Sequence, residues 1–304
     1  MIRILGTIFA GLLGLAFGSF LNVCLSRWPQ GESIVHPRSH CRNCDRQLSW
    51  WENIPLISWL ALRGHCRNCK TEISWRYPIV ELAVGTVWAA QVWLLTQDAS
   101  TGLLGVAPEP HLNVPYLLAP IWMMIFDWLL IALAVLDAEY LWLPDLVTLP
   151  GAALGFFLMI LRAKLNSDAF LGFYGALGVQ NRFLIQSAYR RLLAILAAAL
   201  LILLIRWLYK LIRHREGIGL GDAKLMALLA SWLGLPGALL SFLIGIVLGA
   251  LIGAILLIAP KAKSGPEEWS ATKLPLGTFL CIGGIISALW GQPIIATYLH
   301  WAGF

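Results

Sequence analysis

Eight apolar runs, at roughly 4–24, 80–95, 116–136, 146–161, 192–208, 223–235, 238–259 and 276–290, constrain this chain more than any other feature. A helix needs about 17 to 25 mostly apolar residues to cross the hydrocarbon layer of a bilayer, where every backbone amide must be satisfied within the helix itself. The runs therefore predict an all-α polytopic membrane protein with about eight transmembrane helices, of which the fourth, sixth and eighth are short. Only 12% of residues are charged against 59% hydrophobic, where soluble domains carry roughly 25% charge. A soluble class is excluded.

The first run has only Arg3 ahead of it and no small-residue cleavage site, so 1–25 reads as an uncleaved anchor and not a removed signal peptide. Lysine and arginine accumulate in cytoplasmic loops. With the loop 26–77 taken as cytoplasmic, that side holds 16 of the 22 basic residues, and Arg3, Arg162, Lys164, Arg182, Arg190 and Arg191 face outward. Both chain ends then face outward. This asymmetry accounts for the net charge of +6 with no nucleic-acid partner.

The loop 26–77 carries four of the six cysteines, as Cys41-Arg-Asn-Cys44 and Cys66-Arg-Asn-Cys69. Each Cys-x-x-Cys knuckle presents two thiolates, and two knuckles complete a tetrahedron for zinc. A reducing cytoplasmic location favours metal over two disulfides, and without a fifth ligand the site reads as closed and structural. The loop is thus expected to be a small cytoplasmic zinc-binding domain. Its Trp50, Trp51, Trp59 and Trp75, interleaved with arginines, suit a bilayer interface with anionic lipid better than a nucleic acid. Cys24 and Cys281 read as core residues.

Carboxylates drawn into apolar sequence are the functional candidates. Glu81 lies near the start of the second run, where it is expected to snorkel or to pair with a local arginine. Asp127 lies in the third run, where a partner is expected. Asp137 ends that run, and its charge at a helix C-terminus opposes the helix dipole. Asp145, eight positions on and after Pro144, reads as a helix cap. Residues 162–190 read as an outward segment in which 170–175 form an interfacial helix. A basic collar, Arg206 to Arg215, leads into Gly217-Ile-Gly-Leu-Gly-Asp222, whose alternate glycines deliver Asp222 to the start of an apolar helix. Lys224 can pair with a carboxylate or snorkel toward headgroups, and snorkelling is the expectation.

Two acidic sites on one membrane face, Asp137 with Asp145 and Gly219-Leu-Gly-Asp222, resemble the type IV prepilin leader peptidases, membrane aspartic proteases of the Gly-x-Gly-Asp class. Gly18-Ser-Phe-Leu-Asn-Val23, Arg27-Trp-Pro29, the two knuckles, Glu52-Asn-Ile-Pro55 and Arg76-Tyr-Pro78 resemble that family's amino-terminal half. The resemblance implies Asp137 and Asp222 as the catalytic pair, and prepilins or pseudopilins as substrates cut at the cytoplasmic face of the bacterial inner membrane. It further implies N-methylation of the new amino terminus with S-adenosylmethionine, linked to the zinc knuckles and to the segment around Glu81 and Gly85. The chain departs from the pattern at Leu220, where an aromatic is common, and at Ala198–Leu204, where glycines are usual.

The expected organisation is an anchor over 1–25, a zinc-knuckle domain over 26–77 and a membrane protease domain over 78–304. Two neighbouring carboxylates share a proton, so one can activate water while the other polarises a scissile carbonyl. No strand-turn-helix nucleotide fingerprint occurs, so S-adenosylmethionine rests on the resemblance alone. The competing class is a polytopic transporter or assembly scaffold with a zinc module, against which stands the lack of internal repeats beyond the duplicated knuckle. A presenilin-like intramembrane protease shares Gly-x-Gly-Asp but lacks the long zinc loop.

Overall fold

A computed structural model describes residues 2–101, 114–171, 177–214, 219–258 and 274–303. The helices are α1 (Ile2–Arg27), α2 (Ile57–Ala61), α3 (Arg76–Thr101), α4 (Val114–Tyr140), α5 (Asp145–Leu171), α6 (Leu177–Arg213), α7 (Leu220–Ile258) and α8 (Leu276–Trp301). All but the five-residue α2 are long and apolar enough to cross a membrane, which makes seven such helices among the described residues. The protein is a multi-pass membrane protein. The chain divides into two compact units, one of Met1–His111 with Met123–Ala132 and one of Leu112–Trp122 with Leu133–Phe304. The middle of α4 belongs to the first unit and its ends to the second.

Eight runs became seven helices because the sixth and seventh lie in one element, α7. Its 39 residues would make a straight rod of about 58 Å, nearly twice the ~30 Å of a hydrocarbon layer. It is not straight. Gly234 leaves helical geometry at φ 75°, ψ 178°, a left-handed φ that costs a residue with a Cβ, and Pro236 restarts the helix where its missing N–H is harmless.

The neighbours of the two arms show that the chain doubles back at this break. Gly221, at the start of the first arm, and Gly277, at the start of α8, both abut Leu143. Gly237 lies beside Ser287, Gly245 beside Leu280 and Gly253 beside Leu274, so the second arm runs antiparallel to α8 and returns toward the level where the first arm began. Arg191 of α6 donates to the Trp232 carbonyl at 3.2 Å, placing a cation on the C-terminal end of the first arm, where the helix dipole favours it.

Close helix packing in each unit relies on small residues, as expected where lipid gives no hydrophobic drive for association. In the first unit, a Cβ on Gly14 would lie 2.8 Å from the Gly85 Cα, and one on Gly18 would lie 2.7 Å from the Glu81 Cα. Only backbone-to-backbone contact fits there, and it brings α1 against α3. Trp88 Nε1 donates to the Met124 carbonyl at 3.0 Å and Trp128 Nε1 to that of Phe17 at 3.1 Å, which ties in α4. In the second unit the indole of Trp232, only 1% exposed, fills the notch left by Gly155 and donates to the Gly151 carbonyl at 3.0 Å.

The expected outward segment 162–190 is mostly helix instead, because α5 runs on to Leu171 and α6 opens at Leu177. Apolar-run reading ends a helix at its first charges, Arg162 and Lys164, although both are good helix formers. The expected interfacial helix at 170–175 falls largely outside the described residues, as do most of the loop 98–115, Gly217, and Lys261, Lys263 and Lys273.

Candidate functional site

The second unit gathers three helix ends around two carboxylates. Asp137 sits in the last turn of α4, Asp222 in the first turn of α7, and α8 begins beside them. Both aspartates are buried, at 6% and 8% exposed, and they lie close enough to feel each other's charge. Asp137 Oδ2 accepts the Thr278 N–H at 2.7 Å and the Thr278 hydroxyl at 3.2 Å. This resolves the oddity of an acid at a helix C-terminus, since the positive N-terminal end of α8 faces the Asp137 carboxylate. Asp222 Oδ2 accepts the N–H of Gly219 at 3.2 Å, a local turn that folds the glycine loop back onto its own aspartate. Gly277 permits the approach, for a Cβ there would stand 2.8 Å from Asp137 Oδ2 and 3.1 Å from Leu143 Cδ1.

Asp145 has a partner of its own. It is the first residue of α5 and forms an ion pair with Lys224, so Lys224 pairs with a carboxylate where snorkelling was expected. Local sequence could not supply that partner, 79 positions away. Gly277 and Thr278 were missed altogether. Their signal was Pro275 and Gly277 opening the last apolar run, a helix start that says nothing of what it faces. Cys281, one turn into α8, is fully buried, as expected, and within electrostatic reach of both aspartates.

Asp127 belongs to the first unit and not to the aspartate pair. It is fully buried, and neither of its carboxyl oxygens has a hydrogen-bond partner among the described residues, so the partner expected for it is not found among them.

In the same unit, the loop between α1 and α3 builds a second site from a duplicated turn. Cys41 N–H donates to the Arg46 carbonyl at 3.0 Å and Cys66 N–H to the Thr71 carbonyl at 2.8 Å. Each turn closes through one left-handed residue, Asp45 at φ 53° and Lys70 at φ 59°, and each is followed by an isolated bridge, His40 to Gln47 and His65 to Glu72. The repeat of 25 positions juxtaposes the knuckles. The sulfurs of Cys41, Cys44, Cys66 and Cys69 all lie within 4.8 Å of one another, with Cys41 and Cys69 at 3.7 Å. Zn–S bonds of about 2.3 Å in a tetrahedron require S···S separations of about 3.8 Å, so four sulfurs placed this way can hold a metal ion. Hydrogen bonds between Cys69 and the hydroxyl and N–H of Thr71, the hydroxyl lying 3.3 Å from its Sγ, bring its thiol down to about 5, while burial pushes Cys41 up to about 11.

Glu52 braces this module. Burial alone would raise its carboxyl, but the Ser49 N–H at 2.7 Å and the Arg46 guanidinium, at 2.9 and 2.7 Å, outweigh that and hold it below the ordinary carboxylate value. Arg27, only 6% exposed, donates to the carbonyls of Ser33 and Pro37 and fixes the entry to the loop. Glu81 does not snorkel, and among the described residues it meets no arginine. It is 7% exposed, and its Oε2 accepts the N–H of Leu56 at 2.8 Å. Leu56 presents that N–H from a left-handed φ of 59°, a strained conformation for a bulky residue.

Comparison with known proteins agrees with this division of sites. Residues 12–95 match the bacterial peptidase A24 N-terminal domain, and residues 124–254 match the type IV leader peptidase family. The chain is 33% identical to a prepilin leader peptidase/N-methyltransferase of Stutzerimonas stutzeri, over 96% of this chain and 93% of that protein. It is 32% identical to proteins of the same name from Pseudomonas aeruginosa, over 96% and 93% of the two chains, and from Aeromonas hydrophila, over 95% and 92%. No solved structure matches. With relatives at this identity over nearly the whole of both chains, and with both halves matched separately, this chain belongs to the type IV leader peptidase family.

Proposed function

We propose that the chain is a membrane aspartic endopeptidase that removes the basic leader from prepilins or pseudopilins, with Asp137 and Asp222 as its catalytic pair, and that it then N-methylates the exposed amino terminus. The observation that carries the peptidase reading is the convergence of two buried carboxylates from distant helices, each held by backbone N–H donors. One carboxylate takes a proton from water as the oxygen attacks the scissile carbonyl, and the carboxyl partner gives its proton to the carbonyl oxygen. Collapse of the tetrahedral intermediate then breaks the C–N bond, and the leaving amine takes up a proton. A pair at helix ends, and not at helix midpoints, suits a substrate whose apolar stem stays in the bilayer while its leader lies in water.

The excess of lysine and arginine on one set of loops supports placing the zinc module and the aspartates on the cytoplasmic face of the inner membrane. The four cysteines suit a closed structural zinc site, which staples a module too small for a sufficient apolar core. The names of the relatives support S-adenosylmethionine as the source of an electrophilic methyl group.

The test is cleavage of a co-expressed prepilin in membranes. Asp137→Asn and Asp222→Asn are each expected to abolish it, because Asn keeps the size but not the titratable proton, while Asp145→Asn retains it. Robust cleavage by Asp222→Asn would overturn the peptidase assignment.

A further inference from the structure

The first unit contains a cavity of about 400 Å³ between the knuckle module and the adjoining ends of α1 and α3. That is within the roughly 300–1,000 Å³ range of small-molecule sites. Its buried charged groups are mostly committed to the protein, since Arg27 is spent on two loop carbonyls and Glu52 on Arg46 and Ser49. One acceptor and one charge are left over. Asn22 is 1% exposed; its amide donates to the Tyr77 carbonyl at 2.9 Å, but its Oδ1 has no hydrogen-bond partner. Glu81 keeps a buried carboxylate against the Leu56 N–H and the Ser19 hydroxyl, and no cation pairs with it among the described residues. A buried carboxylate without a counter-charge is costly, as is an orphaned amide oxygen. The sequence keeps both facing one cavity, with α1 held against Glu81 by Gly18 and with Leu56 strained to reach it.

A ligand that satisfies this lining must bring positive charge and hydrogen-bond donors. The walls also include the rings of Trp59 and Tyr77, surfaces on which a planar base can stack. We propose that this cavity binds S-adenosylmethionine, with its ammonium and sulfonium groups toward Glu81 and Asn22 Oδ1 and its adenine toward the aromatic wall. The proposal rests on the methyl-transfer half of the function above and adds the site.

The experiment uses the full-length protein in detergent and reads binding, not activity. Ultraviolet cross-linking of S-adenosylmethionine to the wild-type chain, followed by peptide mapping, is expected to label peptides within 19–27, 52–62 or 71–81. Equilibrium dialysis is expected to show binding weakened about 30-fold or more in Glu81→Gln, since one partner of a buried charge pair is lost. Asn22→Leu should bind more weakly as well, with gel filtration confirming that both variants remain folded. Labelling confined to 133–304 would overturn the site while leaving methyl transfer standing. A failure of wild-type protein to bind S-adenosylmethionine at all would overturn both. Since the cross-link map needs no variant, it decides the matter even if Glu81→Gln does not fold.

Discussion

Gly277→Ala tests whether the start of α8 positions the proposed catalytic pair. A Cβ at this position would stand 2.8 Å from Asp137 Oδ2, 2.9 Å from its Cγ and 3.1 Å from Leu143 Cδ1. Ordinary contact begins near 3.4 Å, so Asp137 or the α8 backbone must yield by about 0.6 Å. Neither can do so freely, because Asp137 is fastened to the next residue through the Thr278 N–H and hydroxyl. A misplacement of about 1 Å at a catalytic group costs roughly 100-fold, so about 0.6 Å should lower the rate of prepilin cleavage roughly tenfold. Stability should move much less, with about 1–3 kcal/mol of overpacking set against the ~0.5–1 kcal/mol by which Ala is preferred to Gly in a helix. The assay is single-turnover cleavage of a purified prepilin, beside thermal unfolding of each variant. Gly6→Ala is the comparator, since a Cβ there meets only Val92, at 3.7 Å, and cleavage should be unchanged. If Gly277→Ala cleaves within about twofold of wild type, the α8 terminus does not set the Asp137 geometry.

Two further substitutions probe the first unit. Gly18→Ala would push a Cβ to 2.7 Å from the Glu81 Cα and 3.2 Å from its carbonyl oxygen, a clash with backbone that no rotamer relieves. It should lower the unfolding midpoint and reduce N-methylation, read by mass spectrometry of the mature pilin, more than it reduces cleavage; equal loss of both would argue that the clash is not confined to this unit. Cys66→Ser removes the sulfur of the most buried of the four cysteines and should take the zinc content, measured by elemental mass spectrometry, from one per chain to near zero. Retention of a full equivalent would show that the metal is not held by the four cysteines.

What the sequence by itself determined is whatever depends on composition and local spacing. Long apolar runs leave no solution but membrane helices, since unsatisfied backbone in hydrocarbon is too costly. Two Cys-Arg-Asn-Cys knuckles imply a four-sulfur cluster because each supplies half a tetrahedron, and the folded turns bring all four sulfurs within 4.8 Å. Asp137 and Asp222 stood out as acids at the ends of apolar runs. Tertiary structure decided what depends on partners distant in the chain. Lys224 meets Asp145 and Asp137 meets Thr278, 141 positions away, pairings set by how helices pack and not by any local pattern. The reversal within α7 needed both a left-handed Gly234 and an α8 against which the returning arm could lie, and Gly-x-Pro alone does not distinguish a kink from a hairpin. The environments of Glu81 and Asn22 were likewise invisible, because a charge or an acceptor is left over only once every neighbouring cation and donor has found its place.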